Sequence, residues 1–220
     1  MLYFIFMKFD NILINGPKEA KNILLLAHGA GAPMDSTFMN TISDGLNNNG
    51  IITFRFEFPY MEKRRSGKNT FPDKLDVLCD FYKKIYFNIK KTNPDKNIWL
   101  GGKSMGGRVS TLISRSLDIK GVIVFGYPFH PINKLDKLRL ESLQLSGPPI
   151  LIIQGTRDKF GTITEVKKYK IHKNNTIFWI KDGDHSYNTL KKSGLSSKDA
   201  IVQAYNEASI FIKKTKSILS

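Results

Sequence analysis

Short apolar segments alternate with longer amphipathic segments along this chain, and that alternation restricts the fold more than any other feature of the sequence. Seven short segments are rich in valine, isoleucine, leucine and phenylalanine, as strands are when both faces of their sheet are covered. These segments are residues 12–14, 22–27, 51–56, 98–100, 121–125, 150–153 and 176–180. Strands that alternate with helices predict one α/β domain over residues 1–220, with a mostly parallel central sheet and helices on both faces.

The amphipathic segments between the strands predict six helices. They are residues 36–47, 72–91, 106–117, 133–143, 163–171 and 197–218, and the helix near 133–143 is expected to be short. Parallel strands of such a sheet end at one edge, and ligands bind beyond that edge. Functional side chains are therefore expected in the loops that directly follow the strands.

Charge and cysteine content narrow the class of protein. The 220 residues include 34 Lys and Arg against 19 Asp and Glu, and the resulting net charge of +15 is spread along the chain. This spread favours a solvated, lysine-rich surface, and no nucleic-acid-binding motif is present, so no nucleic-acid partner is expected. A single cysteine, Cys79, allows no internal disulfide, which predicts a reducing, cytoplasmic location.

The N-terminal residues allow two interpretations. Residues 1–9 are largely apolar but too short to span a membrane, and they lack the basic start and cleavage site of a signal peptide. They form an edge strand, or they are an over-long start with Met7 as the first residue. No other segment reaches the roughly 18 apolar residues that a membrane span requires.

A glycine-flanked serine follows the strand predicted at residues 98–100. The pattern G-x-S-x-G occurs at Gly102, Ser104 and Gly106. In this pattern the chain turns from strand to helix within a few residues, which exposes the serine hydroxyl in a strained conformation. The backbone N–H of Met105 then lies at a helix N-terminus and is a candidate donor to an oxyanion. The alternative is an ordinary glycine-rich turn.

A loop of small residues follows the strand predicted at residues 22–27. It begins with His28 and continues Gly-Ala-Gly-Ala-Pro. In this position a second oxyanion donor is expected, and the N–H groups of Ala30 and Gly31 are the candidates. We do not favour a catalytic role for His28. Its expected role is to hold the loop by packing or hydrogen bonding.

Two further candidates complete a Ser-Asp-His order. Asp158 follows the strand at residues 150–153, and His185 follows the strand at residues 176–180. A buried carboxylate in this place would accept the histidine Nδ1–H and stabilise the imidazolium. Asp182 and Asp184 are rival acids, but neighbours so close in the chain rarely point at the imidazole. Of the four histidines, only His185 comes after both Asp158 and a strand.

These motifs resemble the α/β-hydrolase superfamily. The resembling segments are residues 25–36, 55–61, 101–108, 126–131, 154–161 and 183–186. The closest resemblance is to the KANL3/Tex30-like group, and the chain is also similar to dienelactone hydrolases that lack a large lid. The resemblance implies an α/β-hydrolase fold with a minimal lid and the triad Ser104, Asp158 and His185. Residues 132–134 depart from the group, which is richer in proline and glycine there.

The sequence thus predicts a carboxylesterase-like serine hydrolase. The substrate expected is a small ester, thioester or amide, cleaved through an acyl-enzyme on Ser104. No cofactor and no metal is expected, because no metal-ligand spacing occurs. Arg64 and Arg65, in the basic run at residues 63–68, and Lys103 are candidates to attract an anionic substrate. For the basic run, the alternative of a mobile solvated loop is favoured.

Three other functions compete with this one: a nucleotide-binding module, a non-catalytic binding protein and a charge-driven nucleic-acid binder. A P-loop is excluded because its first glycine is replaced by Asn97, and a dinucleotide-binding loop is excluded because its last small residue is Met34. A non-catalytic hydrolase-fold binding protein and a charge-driven nucleic-acid binder stay as alternatives. The sequence does not indicate an oligomeric state.

Overall fold

The computed structural model describes residues 11–215, and these contain one seven-stranded sheet. The strands are β1 Ile12–Asn15, β2 Asn22–Ala27, β3 Ile52–Phe56, β4 Asn97–Lys103, β5 Val122–Phe125, β6 Ile150–Gly155 and β7 Asn175–Ile180. Their spatial order is β1-β3-β2-β4-β5-β6-β7. Only β1 runs antiparallel to its neighbour, and the six other strands are parallel. The mostly parallel sheet and all seven predicted strands are confirmed.

Six α-helices lie between or after the strands of the described residues. They are α1 Thr37–Asn48, α2 Pro59–Arg65, α3 Leu75–Thr92, α4 Met105–Ile113, α5 Ile163–Val166 and α6 Ser197–Lys214. Five predicted helices are confirmed with shifted ends, and α2 was not predicted. Within residues 11–215, no helix combines the length and the apolar character needed to cross a membrane. The predicted edge strand at residues 1–9 lies outside the described residues.

The helix predicted at residues 133–143 is wrong. The segment forms isolated turns, in which Lys134 donates to the Pro131 carbonyl and Lys137 to the Lys134 carbonyl. Asn133 has a φ of 61°, a left-handed conformation that a right-handed helix does not accommodate. Apolar periodicity alone suggested a helix, but much of the apolar surface is not buried, since Leu135 is 57% exposed.

Two apolar layers cover the two faces of the sheet. Because side chains alternate along a strand, neighbouring residues of β2 point to opposite faces. Leu25 packs in the layer under α3 and α4, and Leu24 and Leu26 pack in the layer under α1 and α6. Each fully buried leucine contributes about 2 kcal/mol to folding. The predicted arrangement of helices on both faces is confirmed, and it leaves the carboxyl edge of the sheet to the loops.

The connection between β5 and β6 contains no helix and is closed on itself by hydrogen bonds. The Arg139 N–H donates to the Phe129 carbonyl at 2.8 Å, and the Tyr127 hydroxyl donates to the Arg139 carbonyl at 2.8 Å. Leu140 and Leu143 are buried behind this closure. The connection therefore adds only an irregular loop to the carboxyl edge, as the predicted minimal lid requires.

Candidate active site

Ser104 stands at the turn from β4 to α4 in a strained backbone conformation. Its φ is 51° and its ψ is −111°, values that cost a non-glycine residue about 1–3 kcal/mol. The Ser104 N–H donates to the Phe125 carbonyl at 3.0 Å, so the end of β5 helps to hold the turn. The predicted change from strand to helix at this serine is confirmed, and the alternative of an ordinary turn is not supported.

The two glycines of the motif are required by close backbone approach. A Cβ atom on Gly102 would lie 2.5 Å from the carbonyl carbon of Gly106, and one on Gly106 would lie 2.6 Å from the Ala27 carbonyl oxygen. Both distances are shorter than any van der Waals contact. The glycines therefore allow the sharp turn that lifts Ser104 above the sheet.

The small-residue loop after β2 lies beside the nucleophile candidate. A Cβ atom on Gly29 would be 3.7 Å from the Cβ of Ser104. His28 is fully buried below the loop, with its Nδ1 2.7 Å from the Gly29 carbonyl and its Nε2 accepting from the Phe58 N–H at 3.0 Å. Burial lowers the pKa of His28, which favours the neutral ring that these two bonds need. His28 thus holds the loop, as the sequence predicted.

Helix α2 fixes the carbonyl groups of the same loop, a contact that the sequence did not reveal. The Tyr60 hydroxyl lies 3.3 Å from the Gly29 carbonyl oxygen and 3.1 Å from that of Ala30, and Arg64 donates to the Ala30 carbonyl at 3.2 Å. Each trans peptide plane holds its N–H opposite its carbonyl. The N–H groups of Ala30 and Gly31 therefore point away from α2. The proline at the start of α2 was the available signal for this helix.

Asp158 is the acid that contacts His185. The carboxylate is fully buried, and its Oδ2 lies 2.7 Å from the His185 Nδ1. The Gln154 side chain donates to the same oxygen at 2.8 Å, and the Phe160 N–H donates to the other oxygen at 2.8 Å. Three donors leave the carboxylate one orientation, with one oxygen on the imidazole. Sequence reasoning missed Gln154, and the available signal was a single amide directly after the apolar run at residues 150–153.

The rival acids shape the loop that carries His185. Asp184 accepts hydrogen bonds from the Ser186 and Asn188 N–H groups at 2.8 and 2.9 Å. Asp182 adopts a φ of 54°, and its N–H donates to the Thr156 hydroxyl at 2.9 Å. Neither carboxylate is hydrogen-bonded to the imidazole. Both residues belong to the turn that presents His185.

Gly126, directly after β5, lies against the His185 ring and next to the residue that bonds to Ser104. It has a φ of 71°, and a Cβ on it would lie 3.2 Å from both Cε1 and Nδ1 of His185. The preceding residue, Phe125, accepts the Ser104 N–H. The imidazole therefore lies against the strand end that also holds the serine turn.

Burial and charge act on the imidazole in opposite directions. Desolvation lowers the pKa of His185 below its usual 6.5, and the hydrogen bond to Asp158 opposes this by raising it. The Coulombic effect of Lys103 adds to the lowering. The net lowering favours a neutral ring at neutral pH, the state that a general base requires.

The predicted anion-attracting residues already have partners. Arg65 binds both oxygens of buried Glu57, at 2.6 and 2.7 Å, and also contacts Asp35 at 2.6 Å. Arg64 donates to loop carbonyls, and the Lys103 Nζ donates to the His185 carbonyl. The alternative of a mobile loop is wrong for residues 63–65, because they form the last turn of α2.

A model of the α/β hydrolase domain family matches residues 20–213. The chain belongs to the α/β-hydrolase family. This confirms the superfamily resemblance and agrees with the sheet and the serine turn. Among residues 11–215, no group of three or more His, Cys, Asp or Glu side chains is arranged to hold a metal ion.

Solved structures with the same fold include three relevant proteins. An alpha-beta serine hydrolase homologue from Coxiella burnetii is 17% identical, with a TM-score of 0.71 over 91% of this chain and 90% of that one. A serine hydrolase without lid from Xanthomonas campestris is 17% identical, with a TM-score of 0.68 over 94% and 90%. Dienelactone hydrolase from Anabaena variabilis is 17% identical, with a TM-score of 0.71 over 94% and 92%. At this identity the likeness establishes the fold.

Proposed function

We propose that this α/β hydrolase is a serine hydrolase of the carboxylesterase type that cleaves a small ester, thioester or amide. Ser104 is the nucleophile, His185 the general base and Asp158 the orienting acid. The observation that carries the proposal is the 2.7 Å contact between His185 Nδ1 and the buried Asp158 carboxylate, beside a serine held in a strained turn. Strained nucleophiles and buried, oriented bases occur together where acyl transfer is catalysed.

The reaction proceeds in two steps on this site. The Ser104 Oγ attacks the carbonyl carbon while His185 Nε2 takes the hydroxyl proton, and the resulting imidazolium is stabilised by Asp158. Collapse of the tetrahedral intermediate breaks the bond to the leaving group, which receives that proton from His185. Water then attacks the acyl-enzyme while His185 accepts its proton. When the second tetrahedral intermediate collapses, His185 returns that proton to the Ser104 Oγ and the acid product leaves.

Backbone N–H groups hold the negative oxygen of the intermediate. Helix α4 begins at Met105, so the N–H groups of its first turn have no partner within the helix and lie at its positive end. The N–H groups of Ala30 and Gly31 are the second set of donors, on the loop whose Gly29 lies against Ser104. Each donor is worth about 3 kcal/mol to the transition state.

An open site supports a small or exposed substrate. The β5–β6 connection adds only an irregular loop, and the similar Xanthomonas protein is described as a serine hydrolase without lid. Est1E from Butyrivibrio proteoclasticus, another structure of this fold, binds ferulic acid, and the Anabaena neighbour is a dienelactone hydrolase. We also propose that the chain is related more closely to the KANL3/Tex30-like group and that it prefers an anionic substrate. Arg64 is the better candidate for an anion, because Arg65 already binds two carboxylates.

A fluorophosphonate probe tests the proposal directly. We expect one covalent adduct on Ser104, located by intact mass and peptide mapping, that is absent in Ser104→Ala and strongly slowed in His185→Ala. Ser110→Ala is the matched control, because this buried serine lies on α4 behind the turn and should leave labelling unchanged. A folded wild-type protein that takes no label would overturn the proposal and favour the binding-protein alternative.

A further inference from the structure

We propose that Lys103 is a positioning residue that ties the His185 loop to the nucleophile turn, and that its ammonium group keeps the imidazole in the proton-accepting form. This inference rests on the proposed function, because it concerns the base of that site. Lys103 is the last residue of β4 and is bonded through the backbone to Ser104. Its side chain therefore begins at the nucleophile and ends at the base.

One hydrogen bond joins the nucleophile turn to the His185 loop. The Lys103 Nζ donates to the backbone carbonyl of His185, a residue 82 positions further along the chain. The His185 side chain is separately held by Asp158. The lysine thus restrains the backbone of the base while the aspartate restrains its ring.

The ammonium group occupies a space that the surrounding residues leave for it. It lies 5.2 Å from the ring centre of Phe38 and 5.7 Å from that of Tyr187, two cation–π contacts. A Cβ on Gly126 would lie 2.8 Å from the Nζ, so a glycine here makes room for the cation as well as for the imidazole. A surface lysine needs none of these arrangements, which indicates that this cation is placed by the fold.

Charges around the imidazole explain what this cation does. His185 is faced by Asp158 from the loop after β6, by Asp184 from its own loop and by Lys103 from β4. The two carboxylates favour the imidazolium form and the lysine opposes it. Lys103 is itself faced by the same two carboxylates and by the Tyr187 ring. Burial lowers the pKa of Lys103 to about 8, so the cation is present at neutral pH and is lost above that value.

The test separates the charge of Lys103 from its hydrogen bond. Lys103→Met removes both, whereas Lys103→Gln removes the charge and keeps a donor for the His185 carbonyl. Lys84→Met, on the exposed side of α3, removes one positive charge far from the site and is the matched control. The His185 pKa is measured from its Cε1–H NMR signal, assigned with His185→Gln. The kcat on an activated ester is measured as a function of pH. It is divided by the fraction of protein molecules whose active site reacts with fluorophosphonate.

We expect the His185 pKa to rise in both Lys103 variants and to stay at the wild-type value in Lys84→Met. The kcat should fall about 10- to 100-fold in Lys103→Met, with a smaller fall in Lys103→Gln and little change in KM. An unchanged His185 pKa in either folded variant, or a kcat that tracks only the fraction of active sites, would overturn the inference. The NMR measurement needs no turnover. A wild-type protein that fluorophosphonate does not label would therefore contradict the proposed function, whereas the His185 pKa in the variants would still test the role of Lys103.

Discussion

The two sides of Ser104 are built by different means. On the proposed oxyanion side, His28, Tyr60 and Arg64 fix the carbonyl groups of one loop, and the side chains serve to hold a backbone in place. On the side of the proposed base, Asp158, His185 and Lys103 lie close together, and their charges act on one another. The comparison shows that backbone N–H donors need only rigid placement, whereas a base also needs a controlled pKa. Variants on the two sides should therefore change catalytic activity and its pH dependence in different ways.

The largest expected effect lies on the base side. Asp158→Asn keeps the size of the side chain but removes the charge that stabilises the imidazolium, so we expect kcat to fall about 10⁴-fold. Steady-state kinetics on an activated ester measures this loss. Asp184→Asn is the control, because its carboxylate shapes the loop without bonding to the ring. Equal losses in the two variants would contradict the assignment of Asp158.

The pH dependence should come from the base side alone. A general base works only when neutral, so kcat/KM should fall as the pH drops through the His185 pKa, which desolvation by burial places below 6.5. Two pH units below that pKa the loss should reach about 100-fold, since activity follows the neutral fraction. The measurement is a pH profile of kcat/KM with circular dichroism at each pH. An acid limb above pH 6.5 would contradict the lowered pKa.

A smaller effect is expected on the oxyanion side. Tyr60→Phe removes the hydroxyl that holds two loop carbonyls but keeps the ring, so the N–H donors should lose part of their placement. We expect kcat to fall about tenfold, a loss of roughly 1.4 kcal/mol in transition-state binding. The comparison of the two sides predicts that the acid limb of the pH profile stays where it is in wild type. A shifted acid limb in Tyr60→Phe would break that comparison.

The smallest effect on catalysis is expected from Arg65, whose variant should act on stability. Arg65→Met leaves Glu57, whose side chain is 1% exposed, without its cationic partner. An unpaired buried carboxylate costs several kcal/mol, and solvent at the exposed arginine reduces this to about 2 kcal/mol of unfolding free energy. Urea denaturation measures the change, with Arg65→Lys as a control that keeps the charge. A variant as stable as wild type would show that the Glu57 carboxylate is satisfied without Arg65.

Prediction from sequence succeeded where one local signal was sufficient. Apolar runs located every strand that the structure describes, and the flanking glycines located the turn at Ser104, because each feature depends on residues close in the chain. The helix at residues 133–143 failed because periodicity does not reveal whether an apolar side is buried. Helix α2 was missed because a basic run is typical of a solvated loop, although Pro59, the first residue of the helix, indicates a helix start.

By itself the sequence determined the strand order along the chain, the serine turn and the succession of Ser104, Asp158 and His185. Only the tertiary structure decided which of three acids touches the imidazole, that Tyr60 and Arg64 hold the loop after β2, and that the Lys103 Nζ reaches the His185 carbonyl. The physical reason is distance along the chain. Such partners meet because parallel strands end at the same edge of the sheet, and neither periodicity nor motif spacing encodes which side chains face each other there.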